Sequence, residues 1–424
     1  MSLKKTKFGL VYPNDWSLKL IKDIFDERIE VTSDIKTYRL CSLLIEKGLV
    51  EKTDRYERSF LLKDRDNNQY KIVYPDDIIF NPMNLRFGAI GRSKMKEKVT
   101  VSAYYNVLKL KNDTYEIRFF DYYFSQKSMV NVYNRIAIGS LIEKKRVHLS
   151  LLNNVEIPIP SKDEQIKIAK IISDCDKLIL LTEQIINVKI KNKKGLFQQL
   201  ISGKRRLPGF KNKWSVKSFQ EIFQFIRTES YSREDLTYSN KEGSIGYIHY
   251  GDIHATFENQ VLNVGDETLP YLKNSKLSNK EFSYLLDGDL VIADASEDYA
   301  GVAECIELSN VKGKQIIGGL HTIVARDKSS LTVSGFRAYI FKNPDISLRL
   351  KKIAVGTSVY SISKSTLSKL LIPLPSIEEQ TIIARIFYDI DKEIDLLKSQ
   401  LKLYRQQKKG LMQVLLTGAV RVKV

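Results

Sequence analysis

The sequence predicts an α+β chain of two globular segments separated by two long antiparallel helices that form a coiled coil, arranged as a pseudo-two-fold internal repeat. The first observation is a duplication. Residues Ile157 to Gly203 align without a gap on Ile372 to Gly418, at a constant offset of 215, with 21 of 47 positions identical. The second is that each copy has helical periodicity with a start and a stop signal. The third is that the stretches before the two copies mix short β-like runs with turn residues, and open and close alike.

The signals at the helix starts are specific. Ile-Pro-x-Pro precedes each copy, and proline lacks the N–H and biases its predecessor toward extended backbone. Ser161 and Ser376 then stand at N-cap positions, with Glu164 and Glu379 three residues on. That spacing predicts a capping box, in which hydroxyl and carboxylate each accept an otherwise orphaned N–H. Gly203 and Gly418 fit the left-handed residue that ends a helix. About 40 residues at 1.5 Å each give a helix of roughly 60 Å.

Each helix carries an apolar seam on a 4-3 spacing, which asks for a partner helix along its length. In the second copy the seam reads Ile383, Phe387, Ile390, Ile394, Leu397, Leu401, Tyr404, Lys408, Leu411 and Leu415. In the first it reads Ile168, Ile172, Cys175, Ile179 and Ile186, and weakens at Thr182, Lys189 and Lys193. The nearest available partner for each helix is the other.

Four segments follow: residues 1–155 globular, 156–203 central repeat helix, 204–370 globular with 204–213 as a basic connector, and 371–424 C-terminal repeat helix. The only tryptophans open the globular segments, as Trp16-Ser17-Leu18-Lys19 and Trp214-Ser215-Val216-Lys217. Ile136-Ala137-Ile138-Gly139-Ser140 and Ile353-Ala354-Val355-Gly356-Thr357 close them. Strands are expected at Tyr70 to Tyr74, Ile78 to Phe80, Thr100 to Leu110, Gly246 to Tyr250, Leu290 to Ala293 and His321 to Ala325. Turn signals such as Asp287-Gly288-Asp289 separate them.

Composition narrows the chemistry. The net charge is +18, half of it from 28 basic against 19 acidic side chains in residues 1–155, which favours a polyanionic partner. No run of apolar residues is long enough for a membrane span, and Cys41, Cys175 and Cys305 are far apart, so a cytoplasmic protein without a disulfide framework is expected. There is no G-x-x-x-x-G-K-[ST] phosphate loop and no Asn-Pro-Pro-aromatic or Asp-Pro-Pro-aromatic stretch. Pro75-Asp76 with Glu143-x-Lys145 matches a loose nuclease pattern that chance explains in so charged a chain. His249 and His254 flank Asp252 without a further ligand, so neither a catalytic nor a metal site is expected.

Binding chemistry remains. Candidate nucleic-acid contacts in the first segment are Arg86, Arg92, Lys94 and Lys96, with the run Lys144, Lys145 and Arg146. In the second they are Tyr247, His249, Tyr250, Lys312, Lys314, Lys351, Lys352 and Lys364. Lys and Arg neutralise phosphates, while Arg, His and Tyr also reach base edges.

The repeated Ile-Pro-x-Pro…Glu-Gln helix, its Gly203 and Gly418 ends, the Trp-Ser-x-Lys openings and the Tyr247-Ile248-His249-Tyr250-Gly251-Asp252-Ile253 stretch together resemble the specificity subunit of Type I restriction–modification systems. The resemblance covers essentially the whole length, though the first segment has no clear counterpart of Tyr247 to Ile253. It implies two target-recognition domains, each reading half of a bipartite site on double-stranded DNA, with the paired helices docking two modification subunits and, in some complexes, restriction subunits. It also implies a chain with no catalysis and no cofactor of its own; S-adenosylmethionine, ATP and Mg belong to the partners. The rival readings are a coiled-coil adaptor for proteins or RNA, and a nuclease built on Asp76 and Glu143.

Overall fold

The structure, a computed structural model, describes residues 3–45, 47–52, 69–141, 144–239, 243–257, 259–265, 269–277, 281–299, 301–356 and 359–423. The chain divides into two compact units, Met1–Glu183 with Gln400–Val424, and Gln184–Ser399. Helix and sheet are mixed in both.

In the first unit, β1 (Ser17–Leu20) leads by a single turn to β2 (Phe25–Glu27). The central sheet adds β3 (Ile78–Phe80), β4 (Ile90–Arg92) and β5 (Asn106–Leu110), in the order β2-β5-β3-β4, all antiparallel. Two helices, α1 (Ile117–Ser125) and α2 (Lys127–Ile136), bury Phe119, Phe120, Tyr123, Met129 and Tyr133 against this sheet. Next, β6 (Glu156–Ile159), the Ile-Pro-x-Pro segment, pairs with β1 and opens into α3 (Lys162–Ile201). Thr100 to Leu110 is not one strand: a turn closed by the Tyr105 N–H on the Ser102 carbonyl divides Val99–Ser102 from β5.

The second unit repeats the plan. β7 (Ser215–Ser218) precedes β8 (Phe223–Ile226), and α4 (Tyr250–Ala255) follows strand Gly243–Ile248. Its sheet is completed by β9 (Val261–Asn263), β10 (Leu290–Ala293), β11 (Cys305–Ser309) and β12 (Thr322–Asp327). The order β8-β12-β10-β11-β9 is that of the first unit, with β9 added in parallel at the edge. After α5 (Pro344–Ile353), β13 (Leu371–Leu374) pairs with β7 and opens into α6 (Ile377–Leu415).

Equivalent turns each hold an aspartate against a guanidinium, although the arginines come from different strands, Arg28 from just after β2 and Arg326 from β12. Asp77 accepts two bonds from the Arg28 guanidinium, at 2.7 and 3.0 Å, and Asp289 two from Arg326, at 2.8 and 2.7 Å. The residue before each aspartate is left-handed: Asp76 at φ 68° and Gly288 at φ 82°.

Within each unit the two long helices pack antiparallel. In the first, Asp176 meets Lys408 at 2.6 Å, Glu183 meets Arg405 at 2.6 Å, and Ile168 and Ile172 share a core with Leu415 and Leu416. In the second, Lys189 meets Glu393 at 2.7 Å and Lys193 pairs with Asp391, while Phe387 packs its ring 5.0 Å from Phe197. The seam is where burial falls: Ile186, Ile383 and Ile394 are buried, and Ile179, Ile390, Leu397 and Leu401 half-buried. The lysines that seemed to interrupt it form ion pairs, and Lys193–Asp391 and Lys408–Asp176 are the same pair made twice by the repeat.

The helix starts differ from a capping box. Ser161 and Ser376 do accept the N–H of Glu164 and Glu379, at 3.3 and 3.4 Å. The glutamate side chains turn inward instead of back to the cap. Glu164 accepts the Trp16 indole N–H at 3.2 Å and the Arg421 guanidinium at 2.6 and 2.8 Å. Glu379 accepts Trp214 at 3.3 Å and Arg206 at 2.8 and 2.6 Å. A carboxylate buried this deeply must be paired, and a bidentate guanidinium satisfies it better than one backbone N–H. Gly203 and Gly418, at φ 70° and 66°, end the helices in the left-handed region, each beneath a tryptophan ring.

Candidate nucleic-acid interface

In the second unit the site is built around α4. His249 caps this helix, its Nδ1 accepting the Gly251 N–H at 3.0 Å, while Asp252 accepts the His249 N–H at 3.2 Å. Burial and then the Arg233 charge hold the His249 imidazole below the usual histidine pKa, which suits a ring nitrogen that must stay an acceptor. Tyr247 is fully buried. Its hydroxyl accepts the N–H groups of Tyr231 at 3.0 Å and Leu320 at 2.6 Å, and donates to the Glu229 carbonyl at 2.9 Å. Tyr247 is therefore structural, its hydroxyl joining the 229–231 segment to Leu320, while His249 shapes the turn through Nδ1 and also lines the cleft.

Tyr250 is the half-buried centre of an aromatic group. Its ring lies 4.5 Å from His249, 5.3 Å from His321 and 6.2 Å from His254. His254 Nε2 reaches the Ala295 carbonyl at 3.0 Å, and His321 Nδ1 reaches Asp294 at 3.2 Å. Beside them a cleft of about 790 Å³ is lined by Arg233, His249, Tyr250, His254 and Phe257 together with Glu297, Asp298 and Glu304. Imidazoles, a phenol, carboxylates and a guanidinium on one cleft can donate to and accept from base edges. Sequence reasoning missed Asp294 and His321, because only the pairing of β10 with β12 brings them together.

The remaining cations sort by their partners. Arg92 is compensated, paired with Asp76 and 3.7 Å from Asp121, which Lys94 also approaches at 3.7 Å. Lys314 gives its ammonium to the Val264 carbonyl at 2.7 Å. Lys351 and Lys364 lie over the Tyr299 and Phe225 rings, at 5.8 and 5.7 Å. Arg86 stacks on Phe87 at 4.2 Å. Among the described residues no carboxylate pairs with Arg86, Lys96, Lys144, Lys145, Arg146, Lys312, Lys351, Lys352 or Lys364, and unpaired surface cations are what phosphates require. Of the loose nuclease pattern, Asp76 pairs with Arg92, and Glu143 lies outside the described residues. No group of metal-ligating side chains occurs among the described residues, and no described helix is long and apolar enough to cross a membrane.

Comparison with known proteins places this geometry. The Type I restriction modification DNA specificity domain matches residues 51–192 and 211–403. The putative type I restriction enzyme MjaX specificity subunit of Methanocaldococcus jannaschii is 25% identical over 464 aligned residues, spanning 100% of this chain and 97% of that one. The MjaVIII specificity subunit of the same organism is 28% identical over 65% of each chain. The crystal structure of the S subunit from M. genitalium, 17% identical, superposes with a TM-score of 0.52 over 98% of this chain and 99% of that one, so the fold is shared. With the family domain matched in both units, this chain belongs to the specificity subunits of Type I restriction–modification systems, which recognise DNA and leave catalysis to other subunits.

Proposed function

We propose that the two units read the two halves of a bipartite duplex site, and that α3 and α6 run as an antiparallel coiled coil that fixes the interval between the halves and docks two modification subunits. In this reading residues 1–155 and 204–370 are the target-recognition domains, and 156–203 and 371–424 the repeat helices. Restriction subunits join the assembly where the system has them. S-adenosylmethionine, ATP and Mg act on the partners, and the complex works on DNA in the cytoplasm.

One observation carries the reading. The same sheet order and the same Glu–Trp–Arg lock are built twice, while the loops around them differ. A shared frame with unlike contents suits two readers of two different short sequences, much as dimer geometry elsewhere sets half-site spacing. The test is selection from a random duplex library by the chain assembled with its modification partner. Two short fixed sequences flanking a constant unread interval are expected. Enrichment of one contiguous motif, or of none as for a protein or RNA adaptor, overturns it.

A further inference from the structure

We propose that Phe87 and Tyr299 are a matched pair of wedges, each entering a base step of the half-site read by its own unit. This rests on the DNA-recognition reading above. The two rings occupy the same place in the repeated sheet: Phe87 on the loop from β3 to β4, Tyr299 on the loop from β10 to β11. Both loops are clasped alike by the segment leading to the repeat helix. The Val147 N–H donates to the Pro82 carbonyl at 3.0 Å, and the Ile362 N–H to the Asp294 carbonyl at 2.9 Å.

The loop sequences, Asn81 to Ala89 and Asp294 to Glu304, have little in common except this aromatic residue. Phe87 is 54% exposed and Tyr299 47%, and neither belongs to a buried cluster of its unit. Each ring has a cation near it, the Arg86 guanidinium at 4.2 Å and the Lys351 ammonium at 5.8 Å. A single exposed aromatic is ordinary on a protein surface. Two at equivalent positions, kept through loops that otherwise diverged and each beside a cation, ask for a shared ligand. DNA supplies one, because apolar side chains can part base steps while neighbouring cations hold the flanking phosphates. Every base offers a stacking face, so a wedge can be kept in both halves while the groups that read base edges change. In the first unit Lys144, Lys145 and Arg146 precede the clasping residue Val147, where they can meet the same backbone.

The experiment uses the complex with its modification subunits and a duplex carrying its site, with 2-aminopurine placed at each position in turn. Fluorescence is expected to rise at one step in each half. Phe87→Ala should abolish one of these rises and Tyr299→Ala the other, each weakening binding about tenfold, while Phe87→Leu keeps part of the signal. Fluorescence confined to positions that persist in both alanine variants overturns the wedge. So does loss of assembly with the modification subunits in the absence of DNA, which would make the rings a protein contact. If the unsubstituted complex selects no bipartite site, the DNA-recognition reading fails; if it does and both variants bind unchanged, only the wedge fails.

Discussion

Glu164 and Glu379 show how a residue is legible in position before it is legible in role. The spacing from Ser161 and Ser376 identified both as special, and the serine half of the motif is present. Their partners Trp16 and Arg421, or Trp214 and Arg206, are distant in sequence, so nothing local announced them. Tyr247 differs in the opposite sense, being fully buried. Aromatic and polar side chains beside a turn resemble a binding surface, and only the fold shows that the Tyr247 hydroxyl is committed inward while His249 spends Nδ1 on the turn. Truncating Glu379 strands an indole N–H and a guanidinium around a nearly inaccessible site. Glu379→Ala is therefore expected to cost about 3 kcal/mol, at the lower end for a buried pair because Arg206 keeps some water contact. Glu379→Gln, which can still accept from Trp214, should cost less. Denaturant titration of the intact chain measures both, and equal losses for the two variants would show that the carboxylate charge matters and the indole bond does not.

Elements were legible where a period governs them. The 4-3 seam picked out the residues that are buried or half-buried along α3 and α6, because helical geometry returns a side chain to the same face every turn. Lys189, Lys193 and Lys408 looked like faults since a sequence pattern does not display the carboxylate opposite. Short strands were found, but the turn inside Thr100 to Leu110 was not, for it contains no Gly, Pro or Asp to mark it. Phe387 is fully buried between Phe197 and Tyr339, whereas Leu396, on the same helix, is 63% exposed. Phe387→Ala is expected to destabilise the chain by about 3–5 kcal/mol. Leu396→Ala should change stability by less than about 0.5 kcal/mol, as an exposed substitution does. Thermal unfolding of the two variants side by side checks the contrast, and comparable losses would mean that the seam is misassigned.

At the scale of the molecule the duplication was the most readable feature, because a constant offset of 215 residues relates the two long helices, and the same sheet order and the same Glu–Trp–Arg lock recur with them. The contents of the loops were least readable, since reading chemistry depends on which loops fold together, as Asp294 and His321 do. The central claim is that paired repeat helices hold two readers at a set interval. It is tested by inserting seven residues after Gln184 and after Ser399, repeat-equivalent positions, so that one heptad is added to each helix without shifting the seam. Seven residues lengthen a helix by about 10.5 Å, close to the rise of about 3 base pairs. Mapping methylated bases in cells carrying the lengthened chain and its modification partner should return the same two half-sites with about 3 more base pairs between them. An unchanged interval, or altered half-sites, would contradict the claim.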